Sequence, residues 1–196
     1  MVAQPAPDAR RAKLLEAAVA VFARFGFRKT SMDEVARAGG VSRQGLYLHF
    51  ATKEDLFRAA VAHAHETSLR AASSRLDDGS LSFEDRLVGA FDEWNGRYVG
   101  MVGPGATDLG EAREALVAPL GSEHEEQFAD AIARAMRGAG LARAYKPSGL
   151  TARQLAETLA ATARGLKDDA PSRTAFVASM KIAARAMCAP LGRKAR

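Results

Sequence analysis

Two adjacent side chains, Arg43 and Gln44, have the chemistry needed to read base edges in double-stranded DNA. A guanidinium group can donate two hydrogen bonds to O6 and N7 of guanine, and a glutamine amide pairs in a similar way with N6 and N7 of adenine. Gly45 follows them and adds no side chain, so it lets the backbone approach the floor of the groove. The three residues indicate a helix that enters the major groove.

Further hydrogen-bond donors lie around this triplet, at spacings that suit contacts with phosphate groups. Such contacts fix the position of a protein on DNA without reading its sequence. A solvated polar face on an ordinary three-helix cluster is the alternative explanation. The remaining candidate DNA-binding residues are Arg10, Arg11, Thr30, Ser42, Tyr47, His49 and Lys53.

Capping residues on both sides of the triplet predict the helices that position it. Ser31 opens a capping-box sequence, Ser-x-x-Glu, and Ser42 and Thr52 are good N-cap residues for two further helices. A glycine pair, Gly39 and Gly40, stops the helix that begins after Ser31, because glycine adopts the left-handed conformation without steric cost. The short turn that results is typical of a helix-turn-helix.

The same segment resembles the TetR family of one-component bacterial transcription regulators over roughly residues 10 to 57. Gln44-Gly45 stand where the family frequently has Gly-Thr, which bears on the operator sequence rather than on the binding mode. Gly39 stands where alanine is more frequent. The matching residues are Phe25-Gly26-Phe27-Arg28-Lys29-Thr30-Ser31, Val35-Ala36, Gly40-Val41-Ser42, Leu46-Tyr47, His49-Phe50, Lys53-Glu54 and Leu56.

The resemblance implies a homodimeric regulator, a repressor, that binds an inverted-repeat operator through the helix at 42–48. A small molecule would release it, and an apolar or aromatic effector is favoured because few buried basic residues are expected. The alternative is an architectural or constitutive DNA-binding protein without a ligand. An enzyme is disfavoured, since no nucleophile–base pair, phosphate loop or metal spacing is found, and no cofactor is expected.

Composition and charge predict an all-α chain with a basic N-terminal part. Hydrophobic residues make up 47% of the 196 residues but aromatic residues only 7%, and β-branched runs are scarce. Residues 1–57 contain nine Lys/Arg against six Asp/Glu, which suits a polyanionic partner. We expect about nine helices: a three-helix DNA-binding domain at 1–52 and a larger ligand-binding and dimerisation domain at 53–196.

Apolar and aromatic side chains in the middle of the chain predict either a ligand pocket or an ordinary core. Apolar walls with a few polar tips are typical of small-molecule sites, and core packing explains the same residues equally well. The resemblance implies a ligand cavity enclosed by these middle helices. The candidate ligand-binding residues are Phe91, Trp94, Tyr98, Met101 and Phe128.

Alanine-rich C-terminal helices predict an interface with a second copy of the chain. A helix that is apolar on two faces generally has two partners, and the resemblance implies a four-helix bundle between two protomers. A single wide core face in a monomer is the alternative. The last helix has a second, small-residue face formed by Ala175, Ala178, Ser179, Ile182 and Ala186. The candidate dimer-interface residues are Leu155, Leu159, Phe176, Met180, Ala183 and Met187.

Capping residues and glycine–proline breaks predict the helix boundaries in the middle of the chain, and the cysteine content and apolar runs bear on cellular location. We predict an amphipathic helix from Ser82 that continues to Gly103-Pro104-Gly105, followed by one helix near 108–120 and another at 122–137. A single cysteine, Cys188, suits a reducing compartment, and no apolar run is long enough to span a membrane. We therefore expect a cytoplasmic protein without a membrane partner.

Overall fold

A computed structural model of the chain describes residues 7–104 and 106–192. Those residues form nine α-helices and three short 3₁₀ turns, with no β-strand among them, so the predicted all-α fold is confirmed. The helices are α1 (Pro7–Phe25), α2 (Met32–Ala38), α3 (Arg43–Tyr47), α4 (Lys53–Asp77), α5 (Phe83–Trp94), α6 (Leu109–Gly138), α7 (Leu141–Ala144), α8 (Ala152–Asp169) and α9 (Arg173–Cys188).

The described residues fall into two compact units. The first unit contains the residues up to Thr67 together with Met101–Ser122, and the second contains Ser68–Gly100 and the residues from Glu123 onward. Two helices, α4 and α6, contribute residues to both units. Each unit has a hydrophobic core of its own.

The core of the first unit holds α1, α2 and α3 around the start of α4. Phe57 is buried, and the rings of Phe22 and Phe27 lie 5.0 Å and 5.1 Å from its ring centre. Leu46 from α3 and Val35 from α2 are fully buried in the same cluster. A short helix such as α3 depends on such packing, because five residues cannot form a stable helix alone.

The predicted N-caps of this unit are confirmed. Ser31 and Glu34 form the reciprocal capping box. The Ser42 hydroxyl oxygen accepts a hydrogen bond of 3.0 Å from the Gly45 N–H, and Thr52 accepts one of 3.0 Å from the N–H of Asp55. These bonds satisfy backbone donors that a helix start leaves without partners.

A chain segment from the later part of the sequence completes the first unit. The Asp108 carboxylate accepts hydrogen bonds from the backbone N–H of Arg28 (2.6 Å) and of Phe27 (3.1 Å), in the turn after α1. The Gly103 N–H donates to the carbonyl of Ala23 at 2.9 Å. These three hydrogen bonds connect the segment before α6 to the end of α1 and to the turn after it.

The Asp108 contact gives a pH-dependent prediction. The hydrogen bond from the Arg28 N–H is the largest cause that holds the pKa of Asp108 below its ordinary value. A depressed carboxyl pKa stabilises the fold above the unfolded-state pKa, and this stabilisation is lost as the pH falls through the folded-state pKa. Asp108→Asn should therefore lower the free energy of unfolding by about 1 kcal/mol at pH 7.

Urea unfolding of both proteins at neutral and acid pH measures this difference. The gap between Asp108 and its asparagine variant should narrow toward zero as the solution becomes acidic enough to protonate the carboxyl. A gap of the same size at every pH would mean that the carboxylate charge contributes nothing to these bonds.

The second unit is built around α5, α8 and α9. Phe91, Phe176 and Met180 are fully buried in its core. Outside the core, the guanidinium of Arg173 donates two hydrogen bonds, of 2.7 Å and 2.8 Å, to the carboxylate of Asp92. Such a bidentate pair adds geometric specificity to the contact between α5 and α9.

Two predicted helix boundaries are wrong. Helix α5 ends at Trp94, well before the predicted break, and a 3₁₀ turn follows in which Gly96 lies against the Phe176 ring with no room for a side chain. The two helices predicted at 108–120 and 122–137 are the single helix α6. Gly121 lies within it, since a glycine costs a helix only about 1 kcal/mol. Gly105, at the predicted break, lies outside the described residues.

Among the described residues, no helix has the length and apolar character needed to cross a membrane.

Candidate DNA-binding surface and helical body

Helix α3 is anchored on one side and open on the other. Leu46 points into the core of the first unit and is fully buried, whereas Arg43, Gln44 and Tyr47 are exposed. A Cβ added at Gly45 would meet the Ser42 hydroxyl and no other atom from outside the helix within 4 Å. The predicted base-reading residues are therefore presented together on an accessible helix face.

Two neighbours orient the Arg43 side chain. Its Nη1 donates to Oδ2 of Asp33 at 3.0 Å, and its guanidinium carbon lies 5.7 Å from the centre of the Tyr47 ring. Both members of the ion pair are about half exposed or more, and exposed pairs of this kind contribute little to stability. Arg43 can consequently exchange Asp33 for a base edge at small cost.

Thr30 and Lys53, two further candidate DNA contacts, also make hydrogen bonds within the protein, and their contact with DNA stays a prediction. Thr30 is buried and its hydroxyl donates to the carbonyl of Gly26 at 2.6 Å. The Lys53 ammonium donates to the carbonyls of Arg28 (3.3 Å) and Thr30 (3.1 Å), and it lies 4.6 Å from the centre of the Phe27 ring. Both side chains hold the turn between α1 and α2.

The remaining candidate DNA contacts are exposed. Arg10, Tyr47 and His49 all have exposed side chains, and the Arg11 guanidinium carbon lies 5.7 Å from the centre of the Phe50 ring. Ser42 is exposed as well, with its hydroxyl engaged as the N-cap of α3. Contact between these residues and DNA stays a prediction.

Leu48 is a surface residue that the sequence reasoning missed. It is 81% exposed, although it directly follows α3 and lies between Tyr47 and His49. The spacing of four residues from Gln44 was a usable signal, because residues i and i+4 lie on the same helix face.

Three of the five candidate ligand-binding residues form one aromatic cluster in the second unit. The Phe128 ring stacks on Trp94 with a centroid distance of 4.7 Å, and it meets the Phe91 ring edge-on at 5.2 Å. Phe91 and Phe128 are fully buried, which is the packing of a core. Ligand contact by this cluster stays a prediction.

The other two candidates lie apart from the cluster's ring contacts. Tyr98 is partly exposed, and its hydroxyl oxygen lies 2.7 Å from the Ser68 hydroxyl oxygen. Met101 belongs to the first unit and is exposed. Tyr98 and Trp94 are therefore the two candidates in the second unit whose side chains are not fully enclosed.

The second unit also has two clefts that are lined by other residues. One, of about 410 Å³, lies around Arg86 and Arg134, and the other, of about 440 Å³, lies around Arg137, Lys146 and Arg153. Neither contains a candidate ligand-binding residue. The described residues include no group of three or more His, Cys, Asp or Glu side chains that could hold a metal ion.

The candidate dimer-interface residues face the core of their own protomer. Leu155, Leu159, Phe176 and Met180 are buried in the second unit, so they have no surface to offer to another chain. Ala183 and Met187 are partly buried and pack against the same core.

The opposite, small-residue face of α9 is exposed to solvent. Ala178 and Ala186 are exposed on it, and Ile182 between them is 72% exposed. The expectation of a second apolar face on the last helix is thus met by exposed residues. The dimer interface itself stays a prediction, and on α9 the face around Ile182 is exposed.

The fold and the exposed face of α3 define a class: an all-helical protein with an N-terminal helix-turn-helix whose second helix is exposed. Residues 14–60 match the model of a family described as bacterial regulatory proteins, tetR family. This match confirms the resemblance to the TetR family. It also places the predicted DNA-binding residues from Thr30 to Lys53 within the matched segment.

Two curated relatives are each similar to a third of this chain or less. The HTH-type transcriptional regulator YfiR of Bacillus subtilis is 43% identical over 63 residues, which is 32% of this chain and 31% of YfiR. The HTH-type transcriptional repressor KstR2 of Mycobacterium tuberculosis is 43% identical over 49 residues, 25% of this chain and 24% of KstR2. The chain thus matches less than a third of the length of these relatives.

A solved structure extends the likeness to the whole fold. The TetR transcriptional regulator from Legionella pneumophila superposes with a TM-score of 0.68 over 95% of this chain and 98% of that one, at 17% identity. At that identity the likeness concerns the fold alone. The C-terminal helices are therefore part of a fold that this structure shares, without a closely similar sequence.

Proposed function

We propose that the protein is a ligand-responsive, homodimeric transcriptional repressor that binds an inverted-repeat operator through α3. The observation that carries this proposal is the presentation of Arg43, Gln44 and Tyr47 on the exposed side of a helix whose other side is anchored by Leu46. Exposed donors of this kind at the start of a reading helix suit base edges in the major groove.

The relatives support regulation of transcription rather than catalysis. YfiR is named as an HTH-type transcriptional regulator and KstR2 as an HTH-type transcriptional repressor. A repressor of this type blocks transcription while it occupies its operator. The alternative is a constitutive DNA-binding protein, for which no effector would change the affinity for DNA.

An effector of apolar or aromatic character is favoured by the second unit. Trp94 and Tyr98 are only partly buried, and the paired hydroxyls of Tyr98 and Ser68 add a polar tip to an apolar surface. Such a combination suits a small molecule with an aromatic or alkyl body and one hydrogen-bonding group. Since α4 and α6 contribute residues to both units, we infer that a ligand in the second unit alters the DNA-binding surface through these helices.

The test of the proposal begins with the full chain and a library of duplexes that contain a randomised segment. Repeated selection should enrich an inverted repeat whose two half-sites are about 34 Å apart, or a multiple of that distance. A compound screen by thermal denaturation then identifies molecules that raise the melting temperature. The same molecules should release the selected duplex. Failure to enrich any sequence would contradict the proposal, and enrichment without an effective compound would favour the constitutive alternative.

Ile182→Glu should prevent dimerisation. A charge placed in a buried apolar contact cannot be solvated, so the two exposed α9 faces would no longer associate. Light scattering after size-exclusion chromatography should then show the mass of one chain instead of two. Affinity for the selected inverted repeat should fall by at least about 100-fold, because a monomer contacts one half-site.

Leu81→Glu is the matched control for this substitution. Leu81 lies before α5 and is 38% exposed, so the change adds the same charge at an exposed leucine that is not part of α9. It should leave the chain dimeric. A dimeric Ile182→Glu variant would place the interface elsewhere.

A further inference from the structure

Leu48 is exposed on the face of α3 that carries Gln44. The Leu48 N–H donates to the carbonyl of Gln44 at 3.1 Å, and its backbone angles, φ −66° and ψ −24°, continue the helix for one more residue. Residues four apart in a helix lie one above the other on the same face. The two side chains are therefore separated by about 6 Å along the helix axis.

The surroundings of Leu48 narrow the class of partner that would cover it. Tyr47 and His49 beside it are exposed, and Arg43 lies near the start of the same short helix. An apolar protein partner would meet these polar and charged groups around one leucine. A polyanion with apolar groups in its groove can contact the apolar leucine and its polar and charged neighbours together. In the major groove that apolar group is the C5-methyl of thymine.

We propose that Leu48 is a specificity-determining residue that reads thymine methyl groups in the operator. The inference rests on the proposed function, because it needs α3 to lie in the major groove. Base pairs are spaced about 3.4 Å apart along one strand. The thymine should therefore lie within about two base pairs of the base that Gln44 contacts. Leu48 would add a hydrophobic preference to the hydrogen-bonding preferences of Arg43 and Gln44.

The experiment replaces thymine by deoxyuridine, which removes the methyl group and leaves the hydrogen-bonding edges unchanged. Duplexes selected with the full wild-type chain are made with this replacement at one thymine position of each half-site in turn. Binding of the wild type to one such pair of positions should weaken by about fourfold for each half-site, the effect of one buried methyl group. Leu48→Ala should bind the thymine and deoxyuridine duplexes equally.

Leu81→Ala is the matched control, since it removes an exposed leucine from outside the DNA-binding surface and should keep the wild-type response to deoxyuridine. Because Leu48 is largely exposed, its alanine variant should fold, which circular dichroism checks. The wild-type comparison is informative even if that variant does not fold. Wild-type indifference to deoxyuridine at every position would overturn the inference. A deoxyuridine penalty that persists in Leu48→Ala would also overturn it. Failure to select any duplex would instead count against the proposed function itself.

Discussion

Gly26→Ala is expected to lower the free energy of unfolding by about 3 kcal/mol. Gly26 has φ +85°, a conformation that costs a residue with a side chain about 1–3 kcal/mol. A Cβ at this position would also overlap with Oδ1 of Asp108, and overpacking of this kind adds about 1–3 kcal/mol. Thermal unfolding should show a melting temperature lower by about 6–12 °C.

Gly40→Ala separates the cost of backbone strain from the cost of steric overlap with Asp108. Gly40 also has a positive φ, of +65°, but a Cβ there would meet nothing within 4 Å. Its substitution should cost only about 1–2 kcal/mol, the strain of a left-handed residue. Equal losses for the two variants would show that the close approach of Asp108 to the turn after α1 does not matter for stability.

Arg43→Ala is expected to lower DNA affinity strongly and to change base preference. Loss of a bidentate contact to guanine should cost about 1–3 kcal/mol for each half-site, and the variant should no longer prefer guanine at one position of the selected operator. Arg43 is exposed and its ion pair with Asp33 is exposed as well, so the fold should tolerate the change. Fluorescence anisotropy with the selected duplex and its single-base variants measures both effects.

Asp33→Asn is the informative contrast. It leaves Arg43 in place and removes the carboxylate that lies 3.0 Å from the guanidinium. Affinity should stay the same or rise, since a negative charge near the DNA phosphates is lost. If Arg43→Ala weakened binding to every sequence equally, Arg43 would be a phosphate contact and the base-reading role would be wrong.

The helix starts around the DNA-binding surface could be predicted because they depend on neighbours. Ser31, Ser42 and Thr52 each accept a hydrogen bond from a backbone N–H three residues later, so the information lies within four residues of sequence. The same holds for Thr151 and Ser172 at the starts of α8 and α9. The resemblance to the TetR family predicted, in addition, the order of these helices and the exposure of Arg43, Gln44 and Gly45.

The bonding state of individual polar side chains could not be predicted in the same way. Lys53 is predicted to contact phosphate, and the sequence gives no sign that its ammonium also donates to the carbonyls of residues 28 and 30. Only the folded chain brings a lysine 23 to 25 residues away to the open carbonyls of a turn. The contact of Asp108 with the N–H groups of Phe27 and Arg28, about 80 residues away in sequence, is of the same kind.

The C-terminal helices show most clearly which features the sequence determines and which depend on the tertiary structure. The sequence alone established that α9 has a core stripe and a second, small-residue face, since helical periodicity follows from residue type. It did not establish which of these two faces packs against other helices of the same protomer. Phe176 and Met180 are buried against the rest of the second unit, while Ile182 is left exposed. That choice depends on which large side chains of other helices lie opposite, and only the tertiary structure decides it.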